Sequence, residues 1–221
     1  MHIDSLNAVK EMRIFSSLDD KQVELLCEIS SIDDYAKDCV LCYEKTESIK
    51  LLFLLDGLAK SYKIDKHNNE IFLFYIEQNS MVSEVSNINE DYLFNFSNIS
   101  FTEDSKVLSI DYILFKKYFL NQNVLITEFM SEIISRSNKL ESLVNREFIF
   151  DSVAKVAMMI DSDLRMFNKL KRHDISLMLH IQPSTLSRVL NRLKKDAIID
   201  IIQGKISIVD KYNLEIIYKE R

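Results

Sequence analysis

The most specific chemical feature of the sequence is a polar and basic face on one helix. Between residues 184 and 195 apolar residues recur at three-to-four spacing and define a buried side: Leu186, Val189, Leu190 and Leu193. The side chains left outside are Ser184, Thr185, Ser187, Arg188, Asn191, Arg192 and Lys195. Hydroxyl groups near the start of such a helix approach base edges in the major groove of DNA, and basic residues further along reach phosphates. This face therefore predicts contact with double-stranded DNA.

Arg188 is the residue that we expect to read a base. It lies one turn into the helix, and its guanidinium has the donor geometry for two hydrogen bonds to guanine O6 and N7. Thr185 and Ser187 are expected to contact a phosphate or a base edge. Lys171 and Arg172, at the start of the preceding helix, are expected to hold backbone phosphates. For each basic residue taken alone, a solvated helix face is the alternative interpretation.

The elements around this face predict a winged helix-turn-helix. A helical block over 151–167 is followed by a short helix over 171–179. The segment 180–183 breaks that helix, and it ends in Pro183, the only proline of the chain, which suits the first turn of the next helix. Two strands are predicted between 198 and 209, around Gln203-Gly204. Helix, tight turn, helix and hairpin follow one another in the winged order.

The amino-terminal part predicts helix, then sheet. Residues 4–30 have helical spacing, with a capping signal at 17–20. From about 32 to 112 short apolar segments alternate with turn-like clusters, which predicts a small β-barrel or sandwich of the roll type. The apolar segments are 51–55, 71–76 and 107–110, and the turn-like clusters are 56–57, 66–69 and 87–91.

A long helix is predicted after the strands, because 111–148 is helical in pattern and contains neither glycine nor proline. Its apolar stripe consists of Leu125, Phe129, Ile133, Leu140 and Val144, with Ile126, Met130 and Ser137 beside them. One small barrel cannot cover so much apolar surface, so we expect a parallel two-helix seam across a homodimer. The alternative is a helix that packs only on its own barrel.

The segment 174–190 resembles the helix-turn-helix of the Crp/Fnr family of transcriptional regulators. The likeness extends to 14–18, to 51–57 followed by Lys60, and to the long helix. It implies an α+β fold with a cyclic-nucleotide-binding-like β-roll over 1–120, a dimerisation helix over 121–148 and a winged helix-turn-helix over 149–221. It also implies a homodimer that binds a palindromic promoter site and acts on RNA polymerase.

The Fnr-like branch, with nitrosative-stress or redox-type regulators, is the most similar part of that family. Its recognition helix begins Glu-Thr-x-Ser-Arg, and Thr185, Ser187 and Arg188 match this motif. Ser184 stands where the branch has a glutamate that accepts a hydrogen bond from a cytosine amino group. The resemblance therefore implies Arg188 as a base contact and leaves the half-site sequence open.

The charge is divided unevenly along the chain. Residues 1–148 hold 15 Lys and Arg against 25 Asp and Glu, whereas residues 149–221 hold 13 against 9. The whole chain has a net charge of −6, but its carboxy-terminal third has a net charge of +4. Because phosphate binding needs local positive charge, this division is typical of a DNA-binding domain joined to an acidic sensing domain.

The effector is less defined by the sequence. Ser83-Glu84 retains the glutamate of cyclic-nucleotide-binding relatives, but 94–101 contains no arginine for a cyclic phosphate, which argues against cyclic AMP. Cys27, Cys39 and Cys42 are one too few for an Fnr-type iron-sulfur cluster and lack a fourth ligand for zinc, so packed or half-exposed thiols are expected.

A haem or nitric oxide sensor, an organic effector, redox chemistry at a thiol and no effector at all stay open. The aromatic residues of the predicted barrel suit either an apolar pocket or plain core: Phe72, Phe74, Tyr75, Phe94, Phe96 and Phe101. His67 lies in a polar turn and is a poor haem ligand.

Other function classes find less support. No catalytic triad, carboxylate pair or phosphate-binding loop stands out, and two glycines do not suit a nucleotide cradle, so no enzyme is expected. There is no run of 18 apolar residues and no basic and apolar leader, which predicts a cytoplasmic protein without a membrane partner. A sensing or scaffold protein of the same fold that has lost specific DNA binding is the alternative function.

Overall fold

The computed structural model describes residues 9–10 and 12–219, and the chain divides into two compact units, Met1–Lys139 and Leu140–Arg221. In the first unit a 3-10 helix (Arg13–Phe15) precedes helix α1 (Asp20–Glu28). The strands are β1 (Ser30–Tyr35), β2 (Val40–Cys42), β3 (Glu47–Ser48), β4 (Lys50–Asp56), β5 (Leu58–Ile64), β6 (Glu70–Glu77), β7 (Ser80–Met81), β8 (Leu93–Phe94), β9 (Asn98–Phe101) and β10 (Ser105–Asp111). Helix α2 (Tyr112–Tyr118) and a 3-10 helix (Leu120–Gln122) follow, and helix α3 (Ile126–Phe148) begins in the first unit and ends in the second.

The predicted helical segment over 4–30 contains helix α1 after the capping signal at 17–20, and its residues 4–8 and 11 lie outside the described part. Asp19 has extended backbone angles and begins α1 with a capping box. Its carboxylate accepts from the Gln22 N–H at 2.8 Å, and the Gln22 side chain accepts from the Asp19 N–H at 2.9 Å. The predicted cap is therefore confirmed, and it is the reason that the helix begins at 20.

The strands form a roll of two four-stranded antiparallel sheets, in the orders β1-β10-β4-β7 and β2-β9-β5-β6, with β3 and β8 as a separate pair. In β4, Leu52 and Leu54 belong to the apolar cluster shared with the second sheet. Leu51 and Phe53 belong to the cluster shared with α1 and α2. Because both faces of β4 are covered, its sequence is a continuous apolar run rather than an alternating one.

The connection from β4 to β5 depends on Gly57. Its φ is +97°, in the left-handed region that side chains rarely adopt. A Cβ built there would lie 2.1 Å from the Ser105 Oγ and 2.8 Å from the Asp104 carbonyl oxygen. The turn is therefore closed to any other residue in its present geometry.

The long helix is shorter than predicted. The expected helix over 111–148 is divided into α2, the 3-10 turn and α3, and the helix predicted to begin at 121 begins at Ile126. Asn123 and Leu125 have φ of +58° and +61°, which an α-helix cannot contain. Leu125 is buried in the core, and packing there overrides the local helical pattern.

The apolar stripe of α3 is in fact two stripes. Leu125 precedes the helix, and its side chain and that of Phe129 are buried in the core of the roll, at 3% and 1% exposure, with Ile133 packed against them. A second set is exposed: Ile126, Met130, Ile134, Leu140, Val144 and Phe148. The first set fits the alternative in which the helix packs only on its own barrel. The second set does not, because its side chains are exposed in this protomer.

The second unit contains helices α4 (Ser152–Ser162), α5 (Leu164–Lys169), α6 (Arg172–Met178), α7 (Pro183–Lys195) and α8 (Lys211–Lys219), and strands β11 (Ile199–Ile202) and β12 (Lys205–Ile208). The predicted helical block over 151–167 is divided at Asp163, whose extended φ of −151° ends α4 and whose carboxylate caps α5. Helix α8 was not predicted; its Leu214 is fully buried against the core of this unit.

No helix in the described part of the chain combines the length and the apolar content that crossing a membrane would require.

Replacing Gly57 with alanine should lower the free energy of unfolding by about 2 kcal/mol or more, because strain at a positive φ is joined by a steric clash. Urea unfolding followed by circular dichroism measures this change. The matched control is Gly204→Ala, where φ is +81° but nothing lies within 4 Å of the added Cβ. A loss no larger than that of the control would contradict the role of the close approach at Gly57.

Candidate nucleic-acid interface

Helices α6 and α7 are joined by a turn of four residues, 179–182. Leu179 ends α6, and His180 takes a φ of +50°. The Ile181 N–H donates to the Ser176 carbonyl oxygen at 3.0 Å, which closes the turn. Pro183 is the first residue of α7, where its missing N–H leaves no bond unmade. The predicted helix, turn and helix are therefore present.

The buried side of α7 agrees with the prediction residue by residue. Leu186, Val189, Leu190 and Leu193 are each 5% exposed or less. They pack in the core of the second unit with residues of α4, α6 and the hairpin, among them Ile160, Ile175 and Ile206. Burial of this face fixes which side of α7 is presented to solvent.

The outward side of α7 carries the predicted contact residues. Ser184, Ser187, Arg188, Asn191, Arg192 and Lys195 are exposed, and Thr185 is half-buried. The Ser187 hydroxyl donates to the Pro183 carbonyl oxygen at 3.1 Å. The structure thus brings all the predicted residues of this helix onto one continuous face.

Arg188 is held along its own helix. Its Nη2 donates to the Thr185 Oγ1 at 3.1 Å, and its Nε donates to the Ser184 carbonyl oxygen at 3.4 Å. The guanidinium is therefore turned toward the amino-terminal end of α7, the end that approaches base edges in a helix-turn-helix complex. These two bonds leave both N–H groups of Nη1 and one N–H group of Nη2 able to donate to a guanine.

The basic residues at the end of α7 pair with nearby carboxylates. Arg192 Nε lies 3.7 Å from an Asp196 oxygen, and Lys194 Nζ lies 3.0 Å from an Asp200 oxygen. Both pairs are largely exposed and are therefore weak. A phosphate can displace the carboxylate from either cation.

Arg172 has a different environment from the one that the sequence predicts. Its Nη2 donates to the Gly204 carbonyl oxygen at 3.0 Å, its guanidinium lies over the Phe167 ring, and burial lowers its pKa. It thereby links α6 to the turn of the β11–β12 hairpin, whereas Lys171 is exposed. Phosphate binding by these two residues stays a prediction.

Three further side chains that the sequence did not single out hold this unit together. The Asn168 side chain makes two hydrogen bonds with the Ile206 backbone, at 2.9 and 2.7 Å, and so fastens α5 to β12. The Tyr218 hydroxyl donates to Asp161 at 2.5 Å, which fastens α8 to α4. No local pattern reveals such pairs, because each partner lies more than 35 residues away in the chain.

In the roll, Glu84 is the centre of a buried polar network. Its carboxylate accepts hydrogen bonds from the Arg136 guanidinium, from the Phe96 N–H and from the Ser97 hydroxyl, the last at 2.9 Å. The Arg136 guanidinium also donates to the Val82 carbonyl oxygen and lies 5.1 Å from the centre of the Phe74 ring. Both oxygens of Glu84 are thus bound by donors of the protein itself.

Arg136 was missed because the sequence was searched for an arginine near 94–101, whereas this one comes from α3. The argument against cyclic AMP rests on the absence of arginine from 94–101, and Arg136 supplies a guanidinium beside Glu84 from outside that segment. The guanidinium present is occupied by Glu84, and the cavity beside it has a volume of about 20 Å³, room for about one water molecule.

The cysteines and His67 are placed as separate groups. Cys27 and Cys42 are buried, Cys39 is exposed, and all three are free thiols. Among the described residues no three His, Cys, Asp or Glu side chains converge on a common metal position. His67, the only histidine in the described part of the roll, lies in the exposed hairpin turn, where its N–H donates to Asp65. It therefore does not fit an axial haem ligand.

Comparison with known proteins identifies the carboxy-terminal unit and the fold. Residues 156–217 match the family described as the Crp-like helix-turn-helix domain. No curated protein sequence matches the chain. Among solved structures the chain is similar to FixK2 from Bradyrhizobium japonicum, with a TM-score of 0.69 and 14% identity over 86% of this chain and 98% of that one.

Two other structures are similar over a comparable length. A double mutant of CooA from Carboxydothermus hydrogenoformans gives a TM-score of 0.69 and 16% identity over 92% of this chain and 94% of that one. A protein described as a transcriptional regulator of the Crp/Fnr family, from Eubacterium rectale, gives 0.60 and 16% over 93% and 97%. The predicted fold class, a cyclic-nucleotide-binding-like roll with a Crp-like helix-turn-helix, is confirmed.

Thiol reactivity should distinguish Cys39 from the two buried cysteines. Burial raises the pKa of Cys42 to about 11, and it also raises the pKa of Cys27. Because the thiolate is the reactive form, both buried groups stay protonated and slow at pH 8. Titration of the native protein with an aromatic disulfide reagent should therefore show one fast thiol, and all three should react in denaturant.

The variant Cys39→Ser should abolish the fast phase, and Cys42→Ser should leave it unchanged. A fast phase that survives Cys39→Ser would contradict the assignment of low reactivity to the buried pair.

Proposed function

We propose that this protein is a transcriptional regulator that binds a palindromic DNA site as a homodimer and acts on RNA polymerase. Each protomer reads one half-site with α7, and the roll senses a signal. The observation that carries the proposal is the outward face of α7, where hydroxyl and basic side chains lie on one side and four leucine and valine residues are buried on the other. The match of 156–217 to a Crp-like helix-turn-helix supports it.

Base reading is assigned to Arg188. Its guanidinium is oriented by Thr185 and Ser184 before DNA arrives, so less side-chain entropy is lost when two bonds to guanine form. Ser187 and Thr185 lie on the same face and are assigned to phosphate or base-edge contacts. Ser184, which replaces the glutamate of Fnr-like recognition helices, is too short to reach a cytosine amino group in the same manner, so the half-site should differ from theirs.

Phosphate binding is assigned to the periphery of the same surface. Arg192 and Lys195 on α7 and Lys171 at the start of α6 are exposed cations that flank the base-reading residues. Arg172 is also assigned to this group, because it lies beside Lys171 at the start of α6. Its hydrogen bond to the Gly204 carbonyl oxygen holds the hairpin turn next to the proposed DNA surface. Such contacts set register and affinity rather than sequence preference.

Dimerisation is assigned to the exposed stripe of α3. Ile126, Met130, Leu140 and Val144, with Ser137 between them, take five of the six positions of an alternating four-three spacing, which is typical of a coiled-coil seam. The sixth position, Ile133, packs on the roll of its own protomer. Each of the four apolar residues is 41–52% exposed in the protomer. A second copy of the same helix, related by a two-fold axis, covers this stripe and gives the two-fold symmetry that a palindromic site requires.

The signal is a small molecule, a redox change or nitric oxide, and the proposal assigns its sensing to the roll. No haem ligand is assigned, because His67 faces solvent on its turn. The absorption spectrum and the mass of the protein purified without added ligand identify a bound group directly: a haem gives a Soret band, and an organic effector gives a mass difference.

Replacing Arg188 with alanine should cost roughly 1–3 kcal/mol of binding free energy per half-site, because a bidentate contact to guanine is lost. The measurement is fluorescence anisotropy with duplexes selected from random DNA by the unaltered protein. The matched control is Arg165→Ala, which removes the same charge from the same unit at an exposed position on α5. The control should change affinity far less.

If the protein is instead a sensing or scaffold protein that has lost specific DNA binding, the opposite result is expected. In that case no preferred duplex emerges from the selection, and both arginine variants bind DNA as weakly as the unaltered protein. Specific binding that is the same with and without Arg188 would remove this residue from its assigned role.

Replacing Val144 with glutamate should weaken self-association at least about tenfold, because a charge enters an apolar seam. Sedimentation equilibrium measures the dimer constant. Ser142→Glu is the control, since it adds the same charge to an exposed position of the same helix outside the four-three spacing. A dimer that tolerates Val144→Glu as well as Ser142→Glu would show that the seam lies elsewhere.

A further inference from the structure

The carboxylate of Glu147, in the last turn of α3, contacts the helix-turn-helix domain. An oxygen of Glu147, near the end of α3, lies 3.2 Å from the Nζ of Lys155 and 2.9 Å from the Nδ1 of His180. Lys155 belongs to α4, and His180 is the left-handed residue of the turn between α6 and α7. Two consecutive helices, α3 and α4, and a turn more than 20 residues further along thus meet at a single side chain.

The burial of Lys155 strengthens this junction of Glu147, Lys155 and His180. This lysine is only 8% exposed, and its Nζ also donates to the Leu179 carbonyl oxygen at 3.3 Å, in the same turn. A buried ammonium is costly unless oxygen partners surround it, so Lys155 keeps Glu147 and the Leu179 carbonyl together. Leu179 is fully buried and belongs to the core on which α7 packs.

We propose that Glu147 and Lys155 are positioning residues that fix the angle of α7 relative to the end of α3 and thereby set the spacing of the two half-sites. The inference rests on the proposed function, because it needs the dimer seam on α3. Leu140 and Val144 of that seam precede Glu147 by seven and three residues, about 10 and 5 Å along the helix. The junction is therefore the nearest fixed point between the two-fold axis and the DNA-reading turn.

The consequence is a requirement on the DNA. Two recognition helices enter successive major grooves only at a separation of about 34–36 Å. With the junction intact, each helix is fixed relative to the axis, and one spacer length satisfies both half-sites. Without it, the helix-turn-helix domain, with α7 packed in its core, turns as a whole about the segment between α3 and α4, and neighbouring spacer lengths become acceptable.

The test compares duplexes with identical half-sites and spacers that are shorter or longer by one and two base pairs. The half-site is taken from the sequence that the full-length protein itself selects from random DNA, and dissociation constants are measured by fluorescence anisotropy. The unaltered protein should prefer one spacer at least about tenfold over its neighbours, as expected when misplacement loses charged hydrogen bonds of one half-site.

In the variants Glu147→Gln and Lys155→Met this preference should fall to about threefold or less, whereas binding of a duplex with a single half-site stays unchanged. The control is Glu141→Gln, which removes the same charge from an exposed position of α3 and should keep the preference. The double variant should be no worse than either single one, because both remove the same junction.

Two results would overturn the inference. One is a spacer preference in Glu147→Gln equal to that of the unaltered protein. The other is a loss of single half-site binding in parallel with the loss of preference, because the junction would then support the helix-turn-helix fold itself. Failure of the proposed function looks different: the unaltered protein selects no duplex and binds no half-site.

Discussion

The long helix carries apolar side chains on two of its faces, and the protomer covers only one of them. Phe129 is buried in the core of the roll, while Val144, 15 residues further along the same helix, is half-exposed. Apolar surface of this extent on a soluble monomer is unusual unless another molecule covers it. One face of this helix packs on the roll, and the other is the proposed contact between two protomers. The proposed binding of a palindromic site depends on that second face, because it gives the dimer its two-fold symmetry.

The carboxy-terminal unit could be predicted closely from sequence, because its main signals are local. The four buried residues of α7 repeat with the helical period, Pro183 fixes where the helix begins, and Gln203-Gly204 marks the hairpin turn. The buried and exposed sides of α7 could therefore be predicted without knowledge of the rest of the chain. Strands β4, β6 and β10 were predicted for a similar reason, since each contains a short apolar segment and turn-like clusters lie between these segments.

What the sequence did not reveal depends on contacts between distant residues. The partner of Glu84 comes from α3, 52 residues away, and a search within one neighbourhood cannot find it. The break before α3 arises because Leu125 enters the core in a conformation that its own propensity disfavours. Helix α8 has an ordinary amphipathic pattern, and Leu214 anchors it through a cluster built from several elements.

The carboxylates paired with Arg192 and Lys194 have a consequence for the proposed binding of DNA. Off DNA, Asp196 and Asp200 act as built-in counterions of these two cations. In the proposed complex a phosphate would replace the carboxylate at each cation, and the freed carboxylate would attract a cation from solution as the DNA releases one. The net number of ions released is then smaller than the number of phosphates neutralised, so affinity declines less steeply with ionic strength than the count of basic residues implies.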